Sequence, residues 1–174
     1  MKKHIHIQNQ TIKNQMTKKD TFTNKEIEFL LNALRDMYDS ATTVNERGII
    51  RMSFRNALYV ISESRSADYV SNSAQGIWEK SGIKGDLHNL LVNQKRTIQK
   101  NIPVLKDLLL EHCVPLSELF RLFMVERKSI KYIMDNLKTA WITKTENTTL
   151  NKKYRSKRMN WEKCYIECGI KLDK

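Results

Sequence analysis

The sequence predicts a mainly α-helical protein, and three observations carry that expectation. Breakers are scarce, with 5 Gly and 2 Pro in 174 residues. Apolar residues recur at spacings of three and four over most of the chain between residues 27 and 137. The first of these stripes is preceded by a complete helix-start signature. Hydrophobic residues make up 40% of the chain, enough for the core of one domain, or of one small domain with appended pieces.

Residues 1–21 are rich in Lys, Asn, Gln and Thr and carry too little apolar surface to fold alone, so a flexible basic tail is expected there. Order begins at "FTNKEI", where Thr23 with Glu26 makes a capping box and Phe22 with Ile27 the matching hydrophobic staple. The helix that follows places Ile27, Leu30, Leu31, Leu34, Met37, Tyr38 and Ala41 on one stripe. A second helix over about 45–64 turns Ile49, Ile50, Phe54, Ala57, Leu58 and Ile61 inward. Its Arg47, Arg51 and Arg55 recur every fourth residue as a basic ridge, read as a solvated face with acidic partners nearby. "SADYVSNSAQGIWEKSG" reads as a weak helix, because Ser and Asn side chains compete for the backbone. After the loop "SGIKGD", Asp86 caps a helix with Leu87, Leu90, Leu91 and Ile98 inward, ending at Asn101 ahead of Pro103. Residues 22–102 are thus expected as an N-terminal helical body.

From Pro103 the spacing changes. "PVLKDLLLEHC" predicts a short helix, "LSELFRLF" a second with Leu116, Leu119, Phe120 and Phe123 inward, and "RKSIKYIMDNL" a third with Ile130, Ile133, Met134 and Leu137 inward. A break at Val125–Glu126 separates the last two, with Val125 tucked beneath the pair. This arrangement resembles the three-helix helix-turn-helix units of bacterial DNA-binding proteins, over residues 103–138. The resemblance implies packing through Leu119, Phe123, Val125, Ile130 and Ile133. It also implies a recognition helix whose Arg127, Lys128, Ser129, Lys131 and Tyr132 meet DNA. Phe120 stands where the pattern prefers a small residue, and Met124 where it prefers Gly.

The extension 139–174 is basic. "TAWIT" and "TTLNKKY" flank the "KTEN" turn, so a small β-hairpin is expected, set like a wing beside the groove. Lys152, Lys153, Arg155, Lys157 and Arg158 then surround Tyr154, a composition suited to phosphate contact. Charge follows the same division. Residues 127–174 hold thirteen basic and five acidic side chains, residues 1–25 six Lys and one Asp, and residues 26–126 twelve basic and thirteen acidic. An excess confined to the ends points to a polyanion partner.

No apolar run long enough to span a bilayer and no export signal is read, and three Cys suggest reduced thiols in a cytoplasm. "CYIEC" with His112 and Cys113 gives no persuasive zinc spacing; neither metal, cofactor nor catalytic constellation is expected. The resemblance implies a sequence-specific DNA-binding protein of bacterial transcriptional control, dimeric by analogy with palindromic operators. The competing expectations are an RNA-binding or replication and partition accessory of a mobile element, and a helical protein-interaction module without nucleic acid.

Overall fold

Thr23 opens the first helix as its sequence requires. The computed structural model describes residues 22–155 and 157–174, so the expected basic tail over 1–21 lies outside the described residues. The Thr23 hydroxyl accepts from the Glu26 amide at 3.3 Å, and the Glu26 carboxylate accepts from the Thr23 amide at 2.7 Å. Helix α1 runs Asn24–Ser40, and α2, Val44–Glu63, starts with the same device built from Thr43 and Glu46. α1 buries Ile27, Leu31 and Leu34; α2 buries Ile50, Phe54, Leu58 and Ile61. Met37 and Ile49, expected inward, are 54% and 64% exposed. Both rim a shallow groove at the α1–α2 connection, where the helices have turned their shared seam away.

The stretch expected as a weak helix divides into strand β1, Tyr69–Ser71, and helix α3, Asn72–Lys80. Asp86 does cap, but only a 3-10 turn over Leu87–Asn89. The helix restarts as α4, Val92–Ile98. Tertiary contacts break it: Leu90 is extended, its carbonyl accepts the Trp141 indole N–H at 3.2 Å, and the Gln94 side chain caps the Leu91 amide at 3.0 Å.

Residues 103–112 correct the expected first helix of the three-helix unit. They form a 3-10 turn, Pro103–Asp107, and strand β2, Leu108–His112. A short run apolar on both faces fits a buried strand as well as a helix, and only a partner decides. That partner is β3, Thr139–Thr143, paired antiparallel to β2 through all five residues. Between them lie α5, Leu116–Met124, and α6, Ile130–Asn136.

The expected C-terminal hairpin is also absent from the described residues. β3 pairs parallel with β1, and the sheet order is β2-β3-β1-β4, with β4 being Leu172–Asp173. The "TTLNKKY" stretch belongs to helix α7, Lys144–Tyr154, followed by α8, Trp161–Glu167. A capping box of Thr143 and Glu146 starts α7. The Thr148 and Thr149 hydroxyls donate back to the Lys144 and Thr145 carbonyls, which lets β-branched residues sit in the helix.

Three apolar clusters result. α1, α2, α5 and α6 share the first, around Phe54 and Phe123. Successive β3 residues face opposite sides of the sheet. Trp141 enters the second cluster, with Trp78 and Leu108; Ala140 and Ile142 enter the third, with Leu150 and Tyr165. The body expected over 22–102 is therefore split, and α5–α6 completes the core of α1–α2. Phe120 is its wedge, edge-on to Tyr38 at 5.5 Å and to Phe54 at 5.6 Å. Phe120→Ala should cost about 3–5 kcal/mol by urea denaturation. Ile130→Ala, at a half-buried position, should cost less; a reversed order would show that α6, not the aromatic wedge, holds this core.

Candidate nucleic-acid interface

The α5–α6 turn presents the residues expected of a recognition helix, but it ties several of them down. Arg127 takes a left-handed backbone, φ 59, where the resemblance put the special turn position at Met124. Met124 itself is buried and helical. The Arg127 guanidinium clamps Asp39 of α1 at 3.0 and 2.5 Å, which holds that carboxyl below its usual range. Arg35 stacks 3.6 Å above the Phe123 ring and donates to the Phe123 and Lys128 carbonyls. Ser129 is engaged as the α6 N-cap, accepting from the Tyr132 amide at 3.1 Å. Lys131 pairs with Asp135 at 2.7 Å, and Lys128 lies 5.6 Å from the Tyr132 ring. Val125, expected beneath the pair, is 61% exposed, because Arg35 rather than an apolar side chain closes the turn.

The basic residues of the extension separate into two groups. Lys152 and Lys157 are exposed, and Lys153 is turned to Glu167 at 3.1 Å. Arg158 is buried, its side chain 4% exposed and its Nη2 donating to Glu111 of β2. A residue read as a free phosphate contact is thus built into the fold. Arg155 stays exposed, again with a left-handed backbone at φ 46.

Arg155 and Arg158 meet a residue outside the expected set, Arg55. Together they line a cleft of about 530 Å³ with Tyr59, Glu111, His112, Ser117 and Asn151. The C-terminal end of β2 supplies two of these groups. Glu111 and His112 are consecutive in a strand and project to opposite faces. Glu111 takes the C-terminal Arg158, and His112 hydrogen-bonds Ser62 of α2 at 2.8 Å. The Ser62 hydroxyl already donates to the Tyr59 carbonyl, so His112 Nε2 is the donor to Ser62. Burial, and secondarily the Arg158 charge, lowers the His112 pKa to about 4, which keeps the ring neutral.

Along α2 the ridge continues away from the cleft. Arg51 lies 5.3 Å from the Phe120 ring and Arg47 5.6 Å from the Tyr38 ring. The expectation of acidic partners for this ridge is corrected: none of Arg47, Arg51 and Arg55 forms an ion pair with a described residue. The every-fourth spacing was visible in the sequence; which carboxylates come within ion-pair distance of it is decided by the fold. The chain matches no known protein-family model, no curated protein and no solved structure.

Two expectations follow. The folded His112 pKa lies below the ordinary value of 6.5, so only the unfolded chain binds its proton between about pH 6.5 and pH 4. This contribution to stability is whole above pH 6.5 and is lost as pH falls through that window, at up to about 1.4 kcal/mol per unit. Denaturation of wild type and His112→Gln across the window should show the variant with the shallower slope; parallel slopes would place a charged ring in the folded protein. Glu111→Leu strands the buried Arg158 charge and should cost about 3–5 kcal/mol, most of it restored in Glu111→Leu/Arg158→Met. A double variant no more stable than the single one would mean that the pair is not the source of the loss.

Proposed function

We propose that this protein binds duplex DNA along the arginine strip of α2, with the N-terminal turn of α6 turned to a groove. The observation that carries the reading is the set Arg47, Arg51 and Arg55, three guanidiniums with no carboxylate partner among the described residues, two of them held over aromatic rings. The two acidic residues of α2 are used elsewhere, Glu46 in the capping box with Thr43 and Glu63 against Arg96, so the three guanidinium charges are left without an ion-pair partner among the described residues. Eight residues of helix put about 12 Å between the outer two arginines. One duplex strand rises by about 3.4 Å per phosphate, so roughly four phosphates fall within that length. Stacking fixes the guanidinium planes beforehand and reduces the entropy cost of binding.

In this reading the residues of the α5–α6 turn divide by role. Arg127 and Ser129 hold the turn on α1 and start α6. Lys128, Lys131 and Tyr132 are left for bases or phosphates, Lys131 after release of a surface pair worth little in water. Arg155 and Lys152 extend the basic surface beyond α2.

The test is a salt titration on a fixed DNA duplex, repeated on an RNA duplex and on single strands. Arg47→Gln/Arg51→Gln/Arg55→Gln should flatten the slope of log affinity against log salt by about 0.9 for each phosphate no longer neutralised. Lys131→Ala should change preference among duplex sequences while leaving that slope nearly intact. A triple variant with the wild-type slope sinks the strip. Tighter binding to RNA than to duplex DNA transfers the site to another ligand class.

A further inference from the structure

The cleft at the end of the strip has properties that a backbone-tracking groove does not need. Arg158 is 4% exposed, and its Nε and Nη1 have no hydrogen-bond partner among the described residues; only Nη2 is used, on Glu111. A buried guanidinium with idle donors is costly unless something else satisfies them. Helix α5 begins at the same place: Leu116 and Ser117 line the cleft, and this helix start has no side-chain cap. First-turn amides have no acceptor within their own helix, and the dipole makes that end positive. Ser117 adds a hydroxyl and Asn151 an amide.

The charge count selects the ligand. Arg55, Arg155 and Arg158 stand against one carboxylate, Glu111, which leaves two positive charges, and His112 adds none while neutral. A bridging phosphodiester carries one negative charge and presents two free oxygens. A terminal phosphate monoester approaches two charges at neutral pH and presents three oxygens. We propose that this cleft binds a phosphate monoester dianion, held by the Arg55, Arg155 and Arg158 guanidiniums and the start of α5. Its source, where the strip binds DNA, is the 5′-phosphoryl end of a strand; otherwise it is a free phosphate ester. The site itself does not depend on duplex binding.

The experiment uses the full-length chain, labelled with nitrogen-15, and inorganic phosphate as the first probe. Saturable shifts of the Ser117 and Asn151 amides are expected, and Arg55→Gln and Arg155→Gln should each weaken them by about tenfold, the effect of removing one charge-assisted hydrogen bond. Both arginines are exposed, so these variants should fold, and Arg47→Gln serves as the control that leaves the shifts in place. Two oligonucleotides of one sequence, 5′-phosphoryl and 5′-hydroxyl, then separate the sources. A preference of about tenfold for the phosphorylated end, abolished by Arg55→Gln, assigns the site to strand ends. Equal affinities with saturable phosphate shifts assign it to a free ester. No saturable shift at Ser117 or Asn151, or shifts unchanged in both arginine variants, overturns the proposal, even if the salt titration supports the strip. Saturation by phosphate in a chain that ignores duplex DNA would overturn the strip and leave the cleft standing.

Discussion

The contact between Arg158 and Glu111 is the interaction on which the basic side of this molecule depends. Both side chains leave water, with 4% and 20% exposure, and each pays a desolvation penalty of several kcal/mol before any attraction is counted. An ion pair of that kind adds little to stability against an apolar alternative. What it does is position. The segment between α7 and α8 has few apolar residues of its own, and Arg158 pins it to the end of β2. Arg155 is thereby brought to Arg55, and the cleft closes on its C-terminal side. Without the pair, the exposed Arg155 would sit on a solvated loop.

The two non-glycine residues with left-handed backbones among the described residues, Arg127 and Arg155, illustrate how such positioning is sustained. Each conformation costs on the order of 1–2 kcal/mol for a residue with a Cβ. At Arg127 a reason is visible in the fold, since the strained turn delivers a two-pronged clamp onto Asp39 and locks α6 to α1. Arg155 makes no such pair with a described residue. Its strain ends a helix and aims a charge at a cleft where two other arginines already stand. Repulsion among three like charges argues against a purely structural explanation there, and an anion relieves it.

The parts of the fold legible in the sequence were those written locally. Thr23 with Glu26 and the apolar stripe behind them needed no distant partner to be read, nor did the α5 stripe or the break before α6. What stayed illegible was decided at long range. Leu108–His112 became a strand because β3, some thirty residues later, offers a ladder. The helix expected from Leu87 onward broke because Trp141 takes the Leu90 carbonyl. The "TTLNKKY" stretch is β-branched in composition and helical in fact, since the capping box at Thr143 and Glu146 outweighs a modest propensity. Of the candidate site, charge was legible and burial was not. Arg158 and Lys152 look alike in sequence, yet one is interior and the other is exposed.

Phe120 shows why the departures from the helix-turn-helix pattern matter more than the matches. A small residue at that position would let α5 approach its neighbours closely. The phenyl ring instead stands between Tyr38 and Phe54, and Arg51 comes to rest over it. Tyr38, packed on the same ring, in turn carries Arg47. The aromatic wedge is therefore also the platform of the basic strip: one side chain spaces the helices and supports two cations. Helix α5 joins the two candidate contact regions for the same reason. Its uncapped start lies in the arginine cleft, and its last residue, about 12 Å away, leads into the turn held by Arg35 and Arg127. A ligand long enough to reach both would meet phosphate donors along α2 and the exposed side chains of α6 at the far end. A rigid α5, fixed in the apolar core along most of its length, would hold those two contacts in register.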